Sequence, residues 1–102
     1  MNAAAKRSHI SASRVSDERL AALAKALGHP ARVRILRLLS DRDTCVTREL
    51  APELELAAST VSEHLRILRE AGLVQTRTAD GRPCYCLKDD GIRTLVAGVQ
   101  GL

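Results

Sequence analysis

Within ASTVSEHLRILREAGLV, residues 58–74, the side chains Ser59, Ser62, Glu63, Arg66 and Glu70 hold the chemistry that decides what this chain can do. At about 100° per residue of a helix they fall on one side. Val61, Leu65 and Leu68, spaced i, i+4 and i+7, form a buried stripe on the other. The outer face is small and hydroxyl-bearing at its N-terminal end, with a cation one turn later. Short hydroxyl side chains let a helix come close to base edges or phosphates, whereas long apolar ones would hold it away. The pattern therefore reads as a DNA recognition helix. An ordinary amphipathic surface helix is the alternative, because periodicity reports burial and not purpose. Gly72 is placed just past the helix end, where a left-handed backbone needs no Cβ.

The other reactive groups are three cysteines, Cys45, Cys84 and Cys86. No apolar run approaches the roughly 18 residues of a membrane helix, and Lys6-Arg7 is not followed by a signal-peptide core. A cytoplasmic location without membrane partners is expected, and there thiols stay reduced, which favours ligation or sensing over structural disulfides. At 102 residues the chain can bury one modest core. Tyr85 is its single aromatic residue, so Leu, Val, Ile and Ala must fill that core. A base-stacking surface for single-stranded nucleic acid is excluded on the same ground. Sixteen Lys+Arg against twelve Asp+Glu give a formal charge of +4, which favours a polyanionic partner.

Several elements must position these groups. Residues 1–15 are polar and Ala/Ser-rich and read as a mobile arm, with residues 16–102 as the folded domain. Ser16 caps a helix whose face is Leu20, Leu23, Ala24 and Leu27, and Gly28 stops it. Pro30 starts a second helix running to about Ser40, with Val33, Leu36 and Leu39 buried and Arg32, Arg34 and Arg37 more exposed. Asp41-Arg42-Asp43 is a turn, Thr44 to Val46 a short strand, and Thr47 the cap of a helix from about Arg48 to Leu54, shortened by Pro52. Leu54-Glu55-Leu56 turns into the recognition helix. A hairpin follows, Leu73 to Thr78 and Pro83 to Leu87, with its tip at Ala79-Asp80-Gly81-Arg82. Asp89 or Asp90 caps a last helix carrying Ile92, Leu95, Val96, Val99 and Leu102 on one face.

The predicted fold is mainly α with a small β-hairpin: helix, helix, short strand, helix-turn-helix, hairpin, helix, the order of a winged helix-turn-helix. The segments LAKALGHPARVRILRLLS, STVSEHLRILREAGLV and GRPCYCL resemble the ArsR/SmtB family of bacterial repressors. The likeness spans about residues 20–88. It implies a homodimer packed through its first and last helices, here residues 17–27 and 90–101, whose apolar stripes a small monomer could hardly cover. It also implies a pseudo-palindromic double-stranded operator, read by two recognition helices in major grooves roughly 34 Å apart. On the family pattern Ser59 and Ser62 match DNA-contacting positions, with Thr60 and Glu63 beside them. Thr47, Arg48 and Arg66 are candidate phosphate contacts, and Arg82 at the wing tip reaches the minor groove. Many relatives carry Gln where this chain has Ala58, which removes an adenine reader. His64 faces inward as a packed or hydrogen-bonded histidine.

In a winged helix the short strand pairs with the second wing strand, which would bring Cys45 beside Cys84 and Cys86. With Tyr85 and Leu87 turned to the core, alternation leaves the three thiols on the outer face. Three thiolates in a pyramid suit As(III) or Sb(III), and with a fourth ligand Zn(II) or Cd(II). The family's arsenic sensors carry C-V-C where this chain has Cys45-Val46-Thr47, so the second cysteine is missing. The last helix has no histidine for the interfacial metal site of other relatives, and no cofactor is required. The expected function is a dimeric repressor released by a thiophilic metalloid. The alternatives are a repressor of the same family that is metal-independent or redox-responsive, and a thiol oxidoreductase. The enzyme reading lacks a histidine or Cys-x-x-Cys unit to activate a thiolate.

Overall fold

In the computed structural model, which describes residues 14–41 and 50–102, local chemistry sets most element boundaries. Ser16 Oγ accepts from the Arg19 N–H at 3.1 Å and starts α1 (Asp17–Leu27), with Asp17 and Glu18 in its first turn. Gly28 ends it at φ −78°, outside the left-handed region. His29, extended at φ −146° as a residue before proline must be, redirects the chain. Its Nδ1 accepts from the Ala31 N–H at 3.0 Å and caps α2 (Pro30–Ser40).

The helix expected over about Arg48 to Leu54 is the single turn α3 (Ala51–Leu54) in the described chain, because Pro52, which lacks an N–H, fits only at a helix start. Glu55, left-handed at φ 56°, then turns the chain toward α4 (Ala58–Ala71). Gly72 at φ 86° closes α4, and the Leu73 N–H returns to Leu68 O at 2.9 Å. The wing is β1 (Val74–Ala79) antiparallel to β2 (Arg82–Leu87), in the register Thr76 to Tyr85 and Arg77 to Cys84. Its tip is the two-residue turn Asp80-Gly81, at φ 52° and 75°, so Ala79 and Arg82 belong to the strands rather than the tip. The last helix, α5 (Asp89–Gln100), has Lys88 at its cap position. Asp89 and Asp90, expected as caps, lie in its first turn, where they still complement the helix dipole.

Leu23, Ile35, Leu68, Leu73 and Val74 are the largest fully buried side chains, joined by Leu39, Leu54, Val61, Leu65 and Leu95 in one core. Two helix faces differ from the sequence expectation by a small rotation. On α1 Ala26 is buried and Ala24 exposed; on α2 Ile35 takes the innermost place and Val33 is half-buried. Arg32, expected to be exposed, is half-buried, because its guanidinium donates to Ala26 O at 2.6 Å and Lys25 O at 3.4 Å, carbonyls of the last turn of α1. Among the described residues no helix is long and apolar enough to cross a membrane. The winged helix-turn-helix thus stands as read, with the short strand at Thr44–Val46 and most of the arm lying outside the described residues.

Candidate nucleic-acid interface

α4 is bedded on one side and open on the other. Val61, Leu65 and Leu68 sink into the core, while Ser59, Thr60, Ser62, Glu63 and Arg66 are all exposed. The helix is held at two places on its inner side. At its middle His64, only 8 % exposed, packs its ring against His29 with centroids 4.5 Å apart. Arg32 Nη1 lies 3.1 Å from His64 Nδ1. Arginine can only donate, so this nitrogen accepts and the ring is neutral with its proton on Nε2. Burial pushes the His64 pKa below its ordinary value, and His29 and Arg32 push it the same way. At the far end Arg19 of α1 donates to Ala71 O at 2.8 Å, a cation on the negative pole of α4. Sequence reasoning missed Arg19 and Arg32, since each reaches a carbonyl set by a distant packing contact.

The outer face carries its own ion network. Arg66 Nε donates to Glu63 Oε1 at 3.0 Å and Nη2 to Glu63 Oε2 at 2.5 Å, a side-on bidentate pair. Nη1 donates to both oxygens of Glu70 at 2.9 Å. The hydrogen bonds from Arg66 hold the Glu63 carboxyl below the usual carboxylate range, and the two carboxylates keep Arg66 protonated. The residue expected to meet phosphate thus has two anionic partners on its own helix.

On the wing, Arg82 is exposed at the foot of the Asp80-Gly81 turn. Tyr85 and Leu87 pack on the core, as alternation requires. Cys84, expected on an open outer face, is instead 2 % exposed, and Cys86 is half-buried. The correction is one of cover: Cys84 is buried more deeply than Tyr85 on the other face, so burial along β2 does not alternate as expected. Cys45, Thr47 and Arg48 lie outside the described residues, and among the described residues no three His, Cys, Asp or Glu side chains gather as a metal site. Two of the three thiols of the expected ligand set are therefore on one strand, and the third is not placed.

A model of the arsR family of bacterial regulatory proteins matches residues 29–76, from the cap of α2 into the first wing strand. An uncharacterised HTH-type transcriptional regulator of Methanocaldococcus jannaschii is 33 % identical over 85 residues, which cover 83 % of this chain and 96 % of that protein. The chain belongs to the ArsR family. It is a transcriptional regulator with a DNA-binding helix-turn-helix. The crystal structure of a possible transcriptional regulator for arsenical resistance superposes with a TM-score of 0.67 at 31 % identity, covering 76 % of this chain and 80 % of that one. A homodimeric winged helix-turn-helix DNA-binding domain from Mycobacterium bovis, a possible ArsR-family regulator, gives 0.65 at 28 % identity, with 84 % of each chain covered. In this ArsR-family chain the helix-turn-helix is α3 and α4, and the hydroxyl face described above is that of its second helix.

Proposed function

We propose that the protein represses transcription by binding, as a homodimer, a pseudo-palindromic operator in double-stranded DNA. One observation carries this reading: Ser59, Thr60, Ser62 and Glu63 stand exposed at the N-terminal half of a helix whose opposite face is fixed in the core. A helix offered in this way puts its N-terminal side chains at base edges in a major groove. Arg82 follows into the adjacent minor groove, and Thr47 and Arg48 are assigned to phosphates ahead of the helix. The dimer joins through α1 and α5, which fits the exposed Val96, Val99 and Leu102 and follows the homodimeric M. bovis neighbour.

Release from the operator is assigned to a thiophilic metalloid, As(III) or Sb(III), on Cys84, Cys86 and Cys45, with Zn(II) or Cd(II) requiring a fourth ligand. Two observations support this: Cys84 and Cys86 share one face of β2, and a solved neighbour is named for arsenical resistance. Selection of binding sites from randomised duplex DNA tests the first part. The wild-type protein is expected to enrich one half-site in two copies, and Ser59→Ala with Ser62→Ala to flatten the preference between that sequence and a scrambled one. Equal binding of both sequences by the wild type removes the reading. Arsenite that neither protects the thiols from alkylation nor frees the selected duplex removes the inducer, leaving a metal-independent or redox-responsive regulator.

A further inference from the structure

Ser59, Glu63, Arg66 and Glu70 are spaced i, i+4, i+7 and i+11, so they run as one straight stripe along the outer face of α4. Arg66 is wedged in the middle, giving Nε and Nη2 to Glu63 and Nη1 to Glu70. Two carboxylates against one guanidinium leave this stripe with negative charge in excess. That is an odd property for a surface meant to lie in a groove walled by phosphates. If Arg66 swung away to a phosphate, Glu63 and Glu70 would both be left uncompensated next to a polyanion. The arrangement opposes that exchange, and the long-range attraction must come from other cations, such as Arg82.

The pair has a second feature. Each oxygen of Glu63 accepts one hydrogen bond from Arg66 and keeps a lone-pair direction open, since a carboxylate offers about four. Cytosine is the base that presents an amino donor in the major groove to such an acceptor. Free glutamate on a helix surface is mobile and repelled by phosphate. Held side-on by a guanidinium that is itself tied back to Glu70, it is fixed in direction and partly neutralised.

We propose that Arg66 is a positioning residue for base readout, clasped between Glu63 and Glu70 so that the Glu63 carboxylate is aimed at a cytosine amino group in each half-site. This rests on the DNA-binding reading above, which fails separately if the wild-type protein enriches no sequence. Side-chain directions in a helix agree with the assignment: Arg66 leans back toward the N-terminus onto Glu63, as long side chains in helices do. The low pKa of Glu63 keeps it an acceptor throughout the neutral range.

Lysine separates the two roles, because it can replace arginine as a point charge on phosphate but cannot make the two-pronged bond to a carboxylate. Binding sites are selected from randomised duplexes with the wild type, Arg66→Lys, Arg66→Ala, Glu70→Gln and Glu63→Gln, and the salt dependence of binding to the wild-type site is measured for each. The wild type is expected to require cytosine at one position per half-site. Glu63→Gln and Arg66→Lys are expected to relax that preference by about tenfold, Glu70→Gln by less, while the salt slope of Arg66→Lys stays at the wild-type value. Arg66→Lys that keeps the cytosine preference overturns the proposal. So does Arg66→Ala lowering the salt slope by about one unit per protomer with base preference intact, the signature of a phosphate anchor. The four residues are exposed, and unchanged melting temperatures identify folded variants.

Discussion

His64 shows how a single side chain ties the recognition helix to the body. Its Nδ1 accepts from Arg32, and the ring abuts His29, so protonation would replace an acceptor with a donor and set a new cation beside the Arg32 guanidinium. Burial already holds its pKa below the ordinary 6.5. The sign follows from linkage: the unfolded chain binds the proton more readily, so the stability contributed by neutral His64 is complete above about pH 6.5 and is lost as pH falls toward the folded-state pKa. The groups facing this ring are Arg32, His29 and Glu63, and only the last favours the charged form. Melting curves from pH 7 down to about pH 5 should therefore show the wild-type protein losing its advantage over His64→Asn. An advantage that stays constant over that range would show that His64 takes up its proton equally in the folded and the unfolded chain, so that neither burial nor its neighbours disfavour the charged ring. The inward direction of His64 was legible from helical period alone. Its partner was not, because Arg32 reads as a surface arginine until the ends of α1 and α4 are brought together by packing.

Between elements, the tightest approach is at the start of α5. A Cβ on Gly91 would stand 1.8 Å from Gly72 O and 2.8 Å from its carbonyl carbon, both backbone atoms that cannot turn aside. A Cβ on Gly98 would meet Leu20 Cδ1 at 2.7 Å, the far end of a side chain that can change rotamer. The two alanine substitutions are chemically identical and should separate in cost. Gly91→Ala is expected to destabilise by about 3 kcal/mol or more, the upper range for overpacking, and to disturb the Gly72 corner that ends α4. Gly98→Ala is expected to change stability by less than about 1 kcal/mol, since the helix preference of alanine offsets the repacking of Leu20. Chemical denaturation of both variants checks the order, and equal losses would count against this account of the α4–α5 contact. Element ends made by neighbours in sequence were readable beforehand: Ser16, His29-Pro30, Gly72 and Asp80-Gly81 all act within a few residues. Gly91 was silent because its reason lies nineteen residues away in Gly72. The late start of α3 was half visible, in Pro52, but Thr47 as a cap residue placed the expected start earlier.

At the scale of the whole molecule, the apolar pattern of α5 is wider than the core needs. Leu95 is buried in the core and Ile92 packs half-buried against it, but Val96, Val99 and Leu102 of the same sequence stripe are 48, 53 and 69 % exposed. The sequence marked all five as one face; only the structure divides them into a part that closes the monomer and a part that does not. Uncovered apolar side chains at i, i+3 and i+6 suit a two-fold contact, in which each copy presents the same patch to the other. Val99→Glu places a carboxylate in the centre of that exposed patch, so it should shift the protein from dimer to monomer in sedimentation without lowering the melting temperature of the monomer fold. Operator binding should then fall by about 10²- to 10⁴-fold, because the second recognition helix is no longer delivered at high effective concentration by the first. The control is Arg93→Glu, an exposed change of larger charge on the same helix, which should leave sedimentation unaltered. Val99→Glu that sediments as the wild-type dimer would move the interface elsewhere, and with it the spacing of the two grooves the protein can reach.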